Sequence, residues 1–273
     1  MTLAGGAALA AVQTRAQTTI VDWNFDALGT QAAPYNSPAP STGSGTATVL
    51  GMNNNYNDGT MPSLPFADVL ATAGASTGSG SFAWRIRGGN TVAGTPNGWS
   101  TNAPIATQGA SFASSTAGYS NIKVTFDLYT TSQAEANVAF LYTTDGTTWT
   151  PAAMTYTGGF ATQSQNNSSS PLTITGPYLQ LKQSGGGWYN QIGVDLSSVA
   201  AANNDPNFAL EIVNASTSTD NINQTGGIYN NSSGNWRYDN VEVTGTAPEP
   251  STLAMVGFGL AGLVGVRRFR KQA

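Results

Sequence analysis

The chain contains no cysteine and no histidine, and charged residues make up only 9% of its 273 residues. Without cysteine no disulfide can form, so packing alone must stabilise the fold. Without histidine and cysteine, the usual zinc, copper and iron sites are excluded. Catalysis by a Ser-His-Asp or Cys-His set is excluded for the same reason.

Basic residues are especially scarce away from the C-terminus. Four of the ten lysines and arginines lie in the last seven residues. Residues 17–247 carry five basic and thirteen acidic side chains, a net charge of −8. Because nucleic-acid binding requires a basic face, we expect no nucleic-acid partner.

The first sixteen residues are typical of a short secretory signal peptide. Residues 3–12 are apolar, and Thr14 and Ala16 are small residues at the two positions that a signal peptidase reads. The basic segment that usually precedes such a run is missing, which is consistent with a natural start upstream of Met1. The alternative is a disordered N-terminus.

The C-terminus combines three features in a fixed order: two prolines around a glutamate, an uncharged apolar run at residues 253–266, and a basic end. These residues are Pro248, Glu249 and Pro250, followed by Arg267, Arg268, Arg270 and Lys271. The prolines mark a domain boundary. The apolar run is shorter than the roughly 20 residues of a usual membrane span, but basic side chains can extend it by snorkelling. They also predict a cytoplasmic C-terminus.

This tail, residues 247–273, resembles the PEP-CTERM sorting signal of Gram-negative bacteria. The resemblance implies a protein exported by the Sec machinery, held transiently in the inner membrane by a single hydrophobic helix, and processed by an exosortase near Pro248–Pro250. It also implies a place at the cell surface or in the extracellular matrix of bacteria that produce exopolysaccharide and form biofilms. The alternative is that residues 253–266 form a buried helix of the domain itself.

Upstream of the tail, apolar residues alternate with polar ones, which is typical of half-buried strands. In residues 19–26, for example, Val21, Trp23 and Phe25 share one face. Strands are predicted at residues 19–26, 46–50, 81–87, 121–130, 137–143, 147–149, 154–157, 172–175, 188–196, 207–214 and 235–245. Residues 88–120 have weak strand signals, and residues 163–170 are predicted to be a polar loop.

No stretch before Ser251 has a helical period, so residues 17–246 are predicted to form one all-β domain. Many short strands with Gly and Asn turns favour a sandwich or barrel. The strands around Phe126 and Val241 resemble those of jelly-roll sandwiches, to which concanavalin-like and carbohydrate-binding domains belong.

Asp26 and Asp239 are candidates for a structural calcium site. In jelly-roll carbohydrate-binding modules the first and last strands lie together and often share one calcium, which takes six to eight oxygen ligands. Asp26 ends the first predicted strand, and Asp239 is predicted to share the inward face of Val241 and Val243. The alternative is that Asp239 caps a turn or pairs with Arg237 or Arg85.

Aromatic residues in or beside polar loops are candidates for stacking on a sugar ring: Trp99, Trp188, Tyr189 and Trp236, with Tyr119 and Tyr229 beside them. The alternative is that these rings pack in the core or cover its ends.

The sequence therefore predicts a non-enzymatic surface or matrix protein with a polysaccharide as its expected partner. A glycan-active hydrolase or lyase is an alternative, because Asp127 and Glu211 lie on predicted strands and glycoside hydrolysis requires two carboxylates about 5–10 Å apart. A purely structural matrix component is another.

Overall fold

The computed structural model describes residues 16–25, 37–52, 83–87, 99, 104–156, 160–162, 165–167, 172–175, 177–181, 187–215 and 234–247. Within these residues the protein consists of strands β1 to β15 and a single 3₁₀ turn at Ala200–Ala202. The strands form two antiparallel sheets, so the predicted all-β class is confirmed.

The first sheet, sheet A, has eight strands and contains both the first and the last strand of the chain. Its members are β1 (Thr18–Trp23), β3 (Trp84–Arg87), β5 (Ser120–Thr130), β8 (Met154–Tyr156), β9 (Phe160–Thr162), β10 (Gln165–Asn167), β13 (Gly187–Asp195) and β15 (Asn235–Thr246). The main order is β1-β15-β5-β13-β9-β10, with β3 paired to β15 and β8 to β13.

The second sheet, sheet B, has seven strands. Its members are β2 (Thr46–Leu50), β4 (Gly109–Ala113), β6 (Asn137–Thr143), β7 (Thr150–Pro151), β11 (Leu172–Thr175), β12 (Tyr178–Leu181) and β14 (Ala209–Asn214). The order is β11-β12-β6-β14-β4-β2, with β7 paired to β6.

The two sheets pack through their apolar faces and enclose one core. In β5, Ile122, Val124, Phe126 and Leu128 are at most 1% exposed, as their alternation predicts. Rings from opposite sheets meet in this layer, since Phe126 of β5 lies 6.3 Å from Phe140 of β6 between ring centroids. This arrangement is a β-sandwich.

Aromatic side chains connect the two sheets across the core. Trp23 of sheet A meets Phe112 of sheet B edge to face, at 5.3 Å between centroids. Tyr238 of sheet A donates its hydroxyl hydrogen to the carbonyl oxygen of Ile212 in sheet B, at 3.1 Å. Complete burial raises the pKa of Tyr238 well above its usual value, so its hydroxyl stays protonated.

The last described strand, β15, is an inner strand of sheet A and lies next to the edge strand β1. It pairs with β1 on one side, where Val243 faces Val21 and Val241 faces Trp23. It pairs with β5 along the other side. The chain therefore places its final strand between its first strand and the longest strand of the middle of the sequence.

Most predicted strands that carry strong alternation are confirmed, including residues 121–130 and the part of residues 19–26 that ends at Trp23. Phe25 is buried as predicted but lies beyond the strand, with a left-handed φ of 52°. The Asp145-Gly146 turn is also confirmed, since Gly146 has a φ of 74°. The strand predicted at residues 147–149 is wrong, because β7 begins at Thr150, which pairs with Tyr142 of β6. Asp145 accepts hydrogen bonds from the backbone N–H groups of Thr147 and Thr148, which lowers its pKa.

The prediction of a loop throughout residues 163–170 is wrong. Gln165–Asn167 forms strand β10, which pairs with Phe160–Thr162. Ladder hydrogen bonds come from the backbone, so polar residues can join a sheet edge without any alternation of apolar side chains. Strands β4 and β12 were not predicted either; β4 begins with Gly109 and consists of small residues apart from Phe112.

The predicted signal peptide, apart from Ala16, and the predicted C-terminal helix lie outside the described residues, so both stay predictions. Among the residues that the structure describes, we find no helix with the length and apolar character needed to cross a membrane.

Candidate functional site

Asp127 is a buried carboxylate on the outer face of sheet A. Its neighbours Phe126 and Leu128 point into the core, so Asp127 points away from it, yet the residue is only 2% exposed. Its Oδ1 accepts the backbone N–H of Gln191 at 2.6 Å, and its Oδ2 accepts the side-chain amide of Asn240 at 2.8 Å. Burial raises the pKa of Asp127 to about 6, because desolvation outweighs these two hydrogen bonds.

Both donors lie in β-bulges, one in each strand that flanks β5. The register of β13 shifts between Tyr189 and Ile192, and that of β15 shifts between Asp239 and Glu242. Gln191 and Asn240 have left-handed backbones, with φ of 54° and 48°. Such a conformation is uncommon outside glycine and requires support from its surroundings. The Asp127 carboxylate gives that support to both bulges at once.

Asp239 lies beside Asp127 on the outer face, which corrects its predicted inward orientation. The two aspartates are register partners across β15 and β5, and Asp239 is 2% exposed. Trp236 and Tyr238 fill the core, so Asp239 points outward, and the extra residue Asn240 returns Val241 to the inner face. A bulge reverses the two-residue period, so alternation counted back from Val241 gave the wrong face for Asp239.

The calcium site predicted from Asp26 and Asp239 stays a prediction, because Asp26 lies outside the described residues. Among the described residues, no group of three or more Asp, Glu, His or Cys side chains is placed to hold a metal ion. Asp239 itself accepts the backbone N–H of Asn240 at 2.9 Å.

A row of packed rings and a cation runs beside these acids on the outer face of sheet A. Trp188 of β13 and Tyr129 of β5 are register partners that meet edge to face, at 5.4 Å between centroids. On the other side of Tyr129, the guanidinium of Arg237 lies 4.5 Å from the ring centroid. This distance is within the range of a cation–π interaction. Because Trp188 and Arg237 are buried, this row stabilises the outer face of the sheet and offers no open ring to a ligand.

The four aromatic residues predicted to stack on sugar rings are all buried. Trp99, Trp188, Tyr189 and Trp236 are 3%, 1%, 0% and 0% exposed. Trp99 and Trp236 pack against each other at 4.7 Å, and each donates its indole N–H to a backbone carbonyl, of Gly234 and Glu135 respectively. These rings present no open face to solvent, so the predicted stacking surface is not formed by them. Tyr119 packs partly buried against the core, and Tyr229 lies outside the described residues.

Glu211 lies on the outer face of sheet B, on the far side of the sandwich from Asp127. Leu210 and Ile212 point into the core, and Glu211 lies with Leu141, its register partner in β6, and the buried Val213. The residue is 7% exposed and accepts no hydrogen bond from the described residues. Burial alone raises the pKa of Glu211 to about 7. Asp127 and Glu211 therefore do not form the carboxylate pair that the hydrolase alternative requires.

Comparison with known proteins identifies the C-terminal tail. Residues 246–271 match the family model of the PEP-CTERM protein-sorting motif. The resemblance predicted from the tail sequence is therefore confirmed. No curated protein and no solved structure matches the chain.

The PEP-CTERM motif implies that the protein is exported and processed by an exosortase. It begins at Thr246, the last residue of β15, which is an inner strand of sheet A. No sequence pattern pointed to the cluster at Asp127, because the two bulge residues that bind it, Gln191 and Asn240, lie far from it along the chain.

Proposed function

We propose that this protein is an exosortase-sorted, non-enzymatic β-sandwich of the bacterial cell surface or extracellular matrix. The observation that carries the proposal is the PEP-CTERM motif at residues 246–271. The inner membrane, as a transient anchor, and an exosortase are its partners during sorting.

The position of the motif relative to the fold supports this role. The described strands end with β15 at Thr246, and the Pro248-Glu249-Pro250 sequence follows two positions later. Cleavage at that sequence leaves every described strand of both sheets in the released product. The tail can therefore act as a removable sorting element for a domain that is complete without it.

The placement of the acids supports a non-enzymatic role. Asp127 and Glu211 point to opposite sides of the sandwich, and the hydrogen bonds of Asp127 stabilise two bulges. The chain has no histidine or cysteine to supply another common catalytic set. These features favour a binding or structural protein over the hydrolase or lyase alternative.

The finer parts of the proposal are a jelly-roll arrangement of the two sheets and association with extracellular polysaccharide. The jelly-roll arrangement is supported by the two antiparallel sheets and by the pairing of β1 with β15. A charge-poor domain rich in hydroxyl and amide side chains supports the second, since neutral sugars bind through such groups. An inert structural role in the matrix is the competing interpretation.

Sorting is tested in a host that carries an exosortase, by comparing the full-length chain with a variant in which Pro248, Glu249 and Pro250 are replaced by alanine. We expect the first to be shortened and released, and the second to stay full-length in the membrane fraction. Pro151→Ala, an exposed proline in β7, is the control and is processed normally. Equal processing of all three forms, or processing in a host that lacks the exosortase, contradicts the proposal.

Polysaccharide association is tested by co-sedimenting the released protein with the host's own exopolysaccharide and measuring new reducing ends. Co-sedimentation without new reducing ends is expected. Release of reducing ends that is lost in Glu211→Gln supports the enzyme instead, and neither signal supports the inert structural role.

A further inference from the structure

Two loops meet at one end of the sandwich, where β4 ends and β14 begins. The backbone N–H of Thr116 donates to the carbonyl oxygen of Asp205 at 2.7 Å, and the N–H of Asp205 donates to Thr116 Oγ1 at 3.1 Å. The N–H of Asn204 donates to the carbonyl of Tyr119 at 2.8 Å, and Asn204 Oδ1 accepts the N–H of Gly118 at 2.8 Å. These bonds hold residues 114–119 and 202–207 against each other.

Three side-chain oxygens on these loops are buried and have no hydrogen-bond partner among the described residues. They are Oδ2 of Asp205, Oδ1 of Asn203 and Oγ of Ser114. Asp205 is 6% exposed and Ser114 is 7% exposed. The other carboxylate oxygen of Asp205 accepts the N–H of Asn207 at 2.9 Å, so Oδ2 alone is left.

The chemistry of these atoms points to a cation. The carboxylate oxygen of Asp205 can only accept a hydrogen bond, and neither the side-chain amide of Asn203 nor the hydroxyl of Ser114 donates one to Oδ2. Buried acceptors, and above all a carboxylate, require a donor or a positive charge. Neither Lys nor Arg occurs in residues 104–119 or 197–215. An oxygen-only set of carboxylate, amide and hydroxyl is the ligand type of Ca²⁺, which completes its shell with backbone carbonyls and water.

We propose that Asp205, Asn203 and Ser114 bind a calcium ion that ties the two loops together. The carboxylate of Asp205 supplies the charge, and Asn203 and Ser114 supply neutral oxygens. This site is separate from the one predicted at Asp26 and Asp239. It has a single acid, which is consistent with the lack of a three-acid cluster among the described residues. Mg²⁺ fits less well, because it demands near-ideal octahedral geometry.

The test measures the thermal unfolding of the full-length protein in mild detergent, first with EDTA and then with an excess of CaCl₂ or MgCl₂. For the wild type we expect Ca²⁺ to raise the Tm by several degrees and Mg²⁺ to raise it less. Calorimetric titration with Ca²⁺ then gives a Kd. The Asp205→Asn variant keeps Oδ1 for Asn207 and removes the charge, so its Kd should weaken at least about tenfold.

Three further variants decide the location of the site. Ser114→Ala removes one neutral oxygen and should weaken Ca²⁺ binding by a smaller factor than Asp205→Asn. It tests the site even if Asp205→Asn fails to fold. Asp145→Asn, in the β6–β7 hairpin, and Asp239→Asn should keep the wild-type response. No Ca²⁺ effect on the wild type overturns the proposal. So does a response that survives both Asp205→Asn and Ser114→Ala, or one that disappears in Asp239→Asn instead.

Discussion

Asp127 accepts hydrogen bonds from both strands that flank β5, so a single side chain connects three strands on the outer face of sheet A. Replacing it with alanine leaves the N–H of Gln191 and the amide of Asn240 without that acceptor. Because each lost partner of a buried donor costs about 1–3 kcal/mol, we expect Asp127→Ala to lower the free energy of unfolding by at least that amount. Urea unfolding followed by tryptophan fluorescence measures it.

Thr125→Ala is the control for this variant, since Thr125 is exposed and lies on the same face of β5. Its effect should stay within roughly 0.5 kcal/mol. Equal stability of the two variants would show that the carboxylate does not support the bulges.

Glu211 should make the protein less stable as the pH rises from acid to neutral. Its pKa is raised from 4.5 to about 7 in the folded protein, so the folded state holds a proton that the unfolded state has released between these values. The free energy of unfolding therefore falls as pH increases from about 4.5 to 7 and levels off above that. Glu211→Gln should raise the Tm at pH 8 and leave it nearly unchanged at pH 4.5.

The pKa of Asp127 is raised to about 6, so its titration also lowers the free energy of unfolding as the pH rises from about 4 to 6. This effect is present in both the wild type and Glu211→Gln. The difference in Tm between wild type and Glu211→Gln isolates Glu211. A difference that is the same at pH 4.5 and pH 8 would rule out its titration as the cause.

At the scale of elements, two glycines with positive φ should respond differently to alanine. Gly146 in the β6–β7 hairpin has a φ of 74° and open space where a Cβ would lie, so Gly146→Ala should cost about 1–2 kcal/mol from the backbone alone. Gly109 opens β4 with a φ of 149°, and a Cβ there would lie 2.4 Å from the carbonyl oxygen of Ile212. Gly109→Ala should cost at least about 3 kcal/mol, because overpacking adds to the backbone strain.

Chemical denaturation of both variants checks this order. Gly118→Ala, which also has open space and positive φ, should behave like Gly146→Ala. A Gly109→Ala variant as stable as these two would mean that β4 and β14 can separate locally without loss.

Strand alternation predicted the elements that line the core, and bulges limited what it could predict about the outer faces. Val21 and Trp23 share the buried face of β1 that their spacing predicts. Asp239 was placed on the wrong face because Asn240 adds a residue that no side-chain pattern reveals. The contact between the rings of Trp99 and Trp236 joins positions far apart in the chain, so local sequence could not show that these rings are buried.

At the scale of the whole molecule, the sandwich should be independent of its sorting tail. All described strands end by Thr246, so a chain shortened after Ala247 should melt within about 2 °C of the full-length protein, a shift that corresponds to roughly 0.5 kcal/mol or less. A chain shortened after Asn240 loses Val241 and Val243 from the core and half of β15, the strand that joins β1 to β5, and it should not fold.

Circular dichroism and thermal melts of the two shortened chains make the comparison. Unfolding of the longer one would mean that residues after 247 support the domain. Folding of the shorter one would mean that the inner pairing of β15 is dispensable.

The position of β15 between β1 and β5 also affects when the protein can acquire its structure. A chain emerging from the ribosome, or passing through a translocation channel, holds β1 and β5 long before the strand that joins them exists. Sheet A stays split until residue 246 is available, so premature cytoplasmic folding has little to stabilise it. Because β15 is the strand that joins β1 to β5, we expect sheet A to complete its pairing only after residue 246 has been synthesised.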